Sequence, residues 1–362
     1  MSVAGTVAHS TKVGARRLVW LYHPRTWKEK GILWTIGIAL VTYLVVAGIL
    51  GILWSFEPDM FDVRLNALEE VNELNLPKKV EEEMLPGITS TATAIGVARV
   101  LLDKPGGYLS NDVMPPGVYL DNIPNWEFGV LVQLRDFVRS MRNDFARAQT
   151  QSIEDKDLQT ADPQFNFNSE SWILPSTEGE YSKGIKALES YIKRLADDNQ
   201  GDGQFYVRSD NLRLYLAVVE KRLGDMAQRL AAAVGQIQFN MGTAGERGGS
   251  VARPQPTQIR IKTSWWEIDD VFYEARGTAW ALVHFLRAIQ IDFEKVLEDK
   301  NAVVNLAQVI RELEHSQDPV WSPVILNGTG FGMLANHSLV LASYLARASA
   351  AIVDLRDLLR QG

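Results

Sequence analysis

From Gly31 to Phe56 the chain carries no charged residue, and the run ILWTIGIALVTYLVVAGILGILW within it is apolar throughout. A helix rises about 1.5 Å per residue, so a stretch of this length reaches across a hydrocarbon core of about 30 Å. The feature predicts a transmembrane helix over 31–56. Trp34 and Trp54 stand near its two ends, which places one indole at each interface, where the ring meets lipid and the N–H meets water.

The flanks predict an orientation. Residues 1–30 contain Lys12, Arg16, Arg17, Arg25, Lys28 and Lys30 against the single acid Glu29, while Glu57, Asp59 and Asp62 follow the span. Basic residues are retained on the cytoplasmic side. The expected topology is therefore a basic cytoplasmic segment at 1–30, a signal anchor at 31–56 in a bacterial inner membrane, and a periplasmic domain over 57–362. A cleaved signal peptide fits less well, because its apolar region is usually roughly 7 to 15 residues long and ends at a small-residue cleavage site.

The net charge of −7 over 362 residues hides the basic N-terminus; residues 31–362 alone stand at −12. A domain so acidic repels a phosphate backbone, so no nucleic-acid partner is expected. The absence of cysteine excludes disulfides, thiolate metal sites and cysteine nucleophiles.

Beyond the span, apolar spacings of three and four predict a mostly α fold, a helical bundle with long irregular loops. Helices are expected over 59–76 as a continuation of the membrane stalk, 89–103, from Trp126 with Asn125 as cap and Glu127 in the first turn, and 181–196. A further helix is expected after a cap at Ser209 or Asp210, lined by Leu212, Leu216, Val219, Leu223, Met226, Leu230, Val234 and Ile237. Others follow over 265–298, 302–315 and 334–359, the last striped by Leu341, Tyr344, Ala348, Ile352, Leu355 and Leu359. Ile259 and Ile261 flank a short extended piece. Residues 149–180 read as an irregular excursion, and two subdomains dividing near 150–180 are one arrangement this allows. An apolar stripe left exposed on the Leu212 or Leu341 helix would make the chain a subunit of a larger membrane complex or a homo-oligomer.

Candidate chemistry is sparse. Ser190 with Lys193, Ser209-Asp210-Asn211 and Lys262-Thr263-Ser264 mimic the motif order of penicillin-binding enzymes, but Ser264 stands where that pattern needs glycine. Glu267, Asp269, Asp270 and Glu274 read as a solvated acidic helix start. Glu312 and His315 are weak metal-ligand candidates, since a helical di-iron site needs two Glu-x-x-His pairs. Asp198 to Gly203 lacks the acidic twelfth ligand of a calcium loop. Neither catalytic residues nor cofactors are expected, and an envelope hydrolase or carboxylate-metal protein is the alternative.

The loop over 104–126 gathers aromatic and polar side chains between turn residues, the composition of a recognition surface. Tyr108, Asn111, Asp112, Tyr119, Asp121, Asn122, Trp126 and Glu127 are the candidate binding residues. Together with the single span and the later WWEIDDVFYEARG, the wording GGYLSNDVMPPGVYLDNIPNWEFG resembles a bacterial inner-membrane family known only as a domain of unknown function. The resemblance implies an envelope address and brings no activity. The expected role is a membrane-tethered periplasmic scaffold or binding protein, with the lipid bilayer and an envelope protein as partners.

Overall fold

The computed structural model describes residues 22–77, 79–80, 84–148, 153–197, 202–240, 257–322, 324–329 and 332–361. Most of the basic N-terminus, residues 198–201 of the Asp198 to Gly203 stretch and the Gly-rich residues 241–256 lie outside the described residues. The chain forms two compact units, 1–55 and 56–362.

In the first unit, α1 (Pro24–Lys30) is followed by α2 (Ile32–Trp54). Gly31 separates them at φ 84°, a left-handed backbone conformation that glycine adopts without a Cβ penalty. No residue of α2 is buried, and its apolar side chains face outward all round. The helix is long and apolar enough to cross a membrane.

The second unit is a helical bundle. Its helices are α3 (Val63–Glu73), α4 (Ile88–Asp103), α5 (Asn122–Ser140, running into a π turn to Phe145), α6 (Lys156–Phe165), α7 (Thr177–Leu195), α8 (Ser209–Ala231), α9 (Ile268–Asp292), α10 (Glu294–Asp299), α11 (Val303–His315) and α12 (His337–Arg360). Two short strands, β1 (Gln236–Asn240) and β2 (Thr257–Ile261), pair antiparallel with Gln236 opposite Ile261.

Helices α5 and α9 run parallel at the centre. Their aromatic residues meet in register: Trp126 on Trp280 at 5.2 Å, Phe137 stacked on Phe285 at 4.3 Å and Phe145 on Phe293 at 5.3 Å. Two glycines permit this approach. A Cβ on Gly129 would lie 2.1 Å from the Glu274 carbonyl oxygen, and one on Gly277 would lie 2.0 Å from that of Trp126.

Helix α8 packs antiparallel to this pair, as Arg222 to Asp136 (2.6 Å) and Arg229 to Glu274 (2.5 Å) show. In turn α12 lies antiparallel to α8 and α11, tied to them by Arg356–Glu220 and Arg347–Glu312. The stripes of α8 and α12 are buried, and each fully covered Leu or Ile contributes on the order of 1.5–3 kcal/mol. They form part of the interior, in a single hydrophobic cluster that runs from Ala67 to Leu359.

Several local expectations change. The stalk does not continue as helix: residues 57–62 are non-helical, and α3 begins only after Asp62, which caps Arg64 N and Leu65 N at 2.8 and 2.9 Å. Asp121, not Asn125, caps α5; Asn125 sits inside the helix and donates to Asp270. Neither Ser209 nor Asp210 caps α8, whose cap position is Arg208. Ile237 leaves that helix for β1, while Ile259 and Ile261 lie in β2. The helix expected over 265–298 breaks at Phe293, and 149–180 contains α6, capped by Asp155 and packed on α5 and α7. The N-terminus of α4 has only Gly87 at its cap, and Asp292 from α9 supplies the missing acceptor to Ser90 N at 2.8 Å.

Candidate functional site

The loop between α4 and α5 folds around a buried ion pair. Lys104 and Glu127 are both buried, and the ammonium donates to the carboxylate, to Gly107 O and to Leu101 O. Glu127 also accepts from the backbone N–H groups of Leu109 and Ser110, each at 2.8 Å, and from the Ser110 hydroxyl. Burial lowers the Lys104 pKa against the raising effect of Glu127. Burial also raises that of Asp112, with the Glu127 and Glu178 charges adding to it. Glu127 thus gathers Lys104, Leu109 and Ser110 onto one carboxylate, and the pair closes the loop.

This arrangement divides the eight candidate binding residues. Tyr108 packs edge-on to Tyr181 at 5.7 Å, and its hydroxyl pKa is raised by burial. Asn111 donates to Ser171 O and Glu178. Trp126 lies between α5 and α9. With Glu127, these are interior residues. Asp112 and Asn122 are half-buried, while Asp121 and Tyr119 are exposed, Tyr119 by 79%. The outward part of the loop is the turn over 113–121, which also exposes Val113, Met114 and Val118.

A second feature lies where the chain enters the bundle after α2. Glu57 is bound by Arg276, whose Nε lies 2.7 Å from one carboxylate oxygen and whose Nη2 lies 2.5 Å from the other. The remaining guanidinium protons go to the carbonyls of Ser316, Gln317 and Asp318 at 2.9–3.3 Å. All five donors of Arg276 are thereby used. The clamp holds the segment after α11 against α9 and forms one wall of a cavity of about 360 Å³, lined by Phe272, His315, Trp321, His337 and Tyr344 among others.

The imidazoles in this cavity are engaged. His337 Nδ1 accepts from Leu326 N at 3.2 Å, and burial lowers its pKa. His315 stacks on Tyr344 at 5.9 Å. Glu312 accepts from Arg347 through one oxygen and from Gln308 through the other, so the Glu312 and His315 spacing does not assemble a ligand set. Among the described residues, no group of three or more His, Asp or Glu is placed to hold a metal ion.

Glu274 is held by Arg229, and Asp270 accepts from Asn125 at 2.8 Å, which gives two members of the acidic helix start structural partners. The serine-lysine mimic falls on α7, the first turn of α8 and the segment after β2. Among the described residues the sheet has only two strands.

Deeper inside, His284 is fully buried. Its Nε2 accepts from Phe61 N at 3.1 Å, which leaves Nδ1 to donate to Trp280 O at 2.7 Å and fixes a neutral tautomer. Burial pushes its pKa down to about 4. Phe61 and His284 lie 223 positions apart, so no local sequence pattern announces this bond.

An apolar 23-residue helix with no buried residue, joined by a short segment to a helical bundle, defines the chain as a helical protein with a candidate membrane span at its N-terminal side. It belongs to a family of uncharacterised proteins conserved in bacteria, DUF2333, which it matches over residues 27–362. No curated protein and no solved structure matches it.

Proposed function

We propose that the protein is anchored in a bacterial inner membrane by α2, with its N-terminus cytoplasmic, and that the helical unit binds or organises an envelope protein from the periplasmic side. The observation that carries this reading is the Glu57–Arg276 clamp. Only Ser55 and Phe56 separate α2 from a residue built into the bundle, so anchoring α2 stations the bundle at the bilayer surface. The charge asymmetry across the span supports the orientation. The buried charges are spent on joining segments of the fold, which favours binding over turnover. The aromatic-lined cavity beside the clamp is of a size that takes a partner's side chain or a short peptide segment.

The test is photocrosslinking in living cells with a photoreactive residue at Val340, an exposed position on the cavity rim. A specific envelope-protein adduct in the membrane fraction is the expected result. Correct membrane insertion with no protein adduct would remove the partner-binding reading. Recovery of the intact chain in the soluble fraction would remove the anchor.

A further inference from the structure

The large exposed apolar side chains of the helical unit are concentrated at one end. Helices α5, α7 and α9 begin there, α8 and α11 finish there, and α12 starts there. Contacts between the connecting segments define this end. Asn111 holds Ser171 O ahead of α7, and Asn125 holds Asp270 at the start of α9. Thr263 N and Asn327 donate to Ala232 O and Ala233 O at the end of α8. Arg276 holds the carbonyls of Ser316 and Asp318 after α11.

Tyr119, Trp172, Trp265, Trp266, Trp321 and Leu334 project from these segments. Trp266 is 79% and Trp321 93% exposed. At the opposite end the exposed apolar residues, such as Ile153, Leu214 and Val304, stand singly and include no tryptophan among the described residues.

Such a surface is unfavourable in water, and scattered tryptophan and tyrosine suit the interfacial layer of a bilayer, where a ring can be buried while its polar atom stays hydrated. The same end receives the chain from α2, because Glu57 is clamped there by Arg276 and Phe56 is joined directly to Ser55. We infer that this aromatic end lies on the lipid surface, so that the helical unit docks on the membrane through the loops before α5, α7 and α9 and the loop after α11. The inference rests on the reading of α2 as a membrane anchor.

The chemistry of the end selects a mode of contact. Asp121, Glu267, Asp269, Asp270 and Asp318 lie among the aromatic residues, and these acids do not attract an anionic lipid surface. Contact therefore comes from insertion of aromatic rings, which a zwitterionic bilayer supports and added salt does not dissolve.

The absence of cysteine makes a direct test simple. In the full chain, Ser264→Cys and Ser322→Cys each place a bimane label beside the aromatic residues without removing them. Val304→Cys places it at the opposite end, and Val45→Cys places it within α2. Each variant is reconstituted into phosphatidylcholine nanodiscs with and without brominated acyl chains.

Bromolipid is expected to reduce emission at 45, 264 and 322 but not at 304, in low or high salt. Replacing Trp265, Trp266 and Trp321 together with alanine is expected to make emission at 264 and 322 the same in brominated as in unbrominated discs, each variant being compared with itself, with the thermal melt unchanged. Quenching at 45 alone would overturn docking while leaving the anchor in place. Quenching at 264 and 322 that survives the alanine replacements would overturn aromatic insertion, because the tether alone would account for it. Disulfide-linked dimers through residue 264 without lipid quenching would assign this end to a second copy. No quenching at 45 would overturn the anchor itself.

Discussion

Helices α2 and α12 have nearly the same length, 23 and 24 residues, and both are apolar enough to cross a bilayer by length and composition. Their apolar residues are arranged differently. In α2 they cover the whole circumference without a charged side chain, and among the described residues of its unit nothing buries them. In α12, Leu341, Leu345, Ala348, Ile352, Leu355 and Leu359 recur at alternating steps of four and three and are buried, while Arg347, Asp354, Arg356 and Asp357 occupy the rest. A helix that is apolar all round needs an apolar solvent; one with an apolar stripe needs a partner helix. Periodicity separates a candidate span from a core helix where total hydropathy does not.

The largest expected break in this comparison is Leu355→Asp. It sets an unpartnered carboxylate in the covered stripe of α12, and a cost above about 4 kcal/mol is expected. Circular dichroism of the detergent-solubilised full chain should show loss of the cooperative melt. The matched change in α2, Leu44→Asp, is expected to cost about 3 kcal/mol of membrane insertion and to leave the melt of the helical unit where it was. Fractionation should then show the chain moving out of the membrane pool. A lowered melt in the Leu44→Asp chain would mean that α2 is a packed element.

Inside the helical unit, His284 accepts from Phe61 N, and the strength of that joint depends on pH. Its pKa in the fold is about 4, below the ordinary value of 6.5, so the unfolded chain takes up the proton first. The stabilisation from a neutral His284 is complete above pH 6.5 and is lost as pH falls toward 4, by up to about 3 kcal/mol. Asp292 acts in the opposite sense. Burial holds its pKa up at about 6, so its contribution is complete below pH 3.8 and declines as pH rises through 6. The readout is therefore the difference in stability between the wild-type chain and His284→Phe, which should narrow from pH 7 to pH 4.5. A constant difference would show that the imidazole does not carry the effect. The smallest effect is expected from Val353→Ser on the exposed face of α12, within about 0.5 kcal/mol.

What the sequence disclosed follows the range of each interaction. The α2 run and the stripes of α8 and α12 are local patterns, and the structure contains all three helices. The buried pair Lys104 and Glu127 joins residues 23 positions apart across a polar loop. Read locally, that loop resembles a surface because nothing in its composition shows that its charges neutralise one another. The Glu57–Arg276 clamp spans 219 positions and leaves no pattern at all. The aromatic end was equally hidden, since its tryptophans come from separate loops and converge only when the bundle forms. A Trp-Trp pair just ahead of a helix, at 265 and 266, was the nearest local signal.

The reciprocal glycines of α5 and α9 bear on which substitutions this chain can absorb. Each glycine faces backbone rather than a side chain, so no substitution in a neighbour can make room for a larger residue at 129 or 277. A mutation at either position would have to move an entire helix, and with it the register of the ring pairs from Trp126–Trp280 to Phe145–Phe293. No single compensating substitution reopens these two sites, and the central helix pair changes only as a unit.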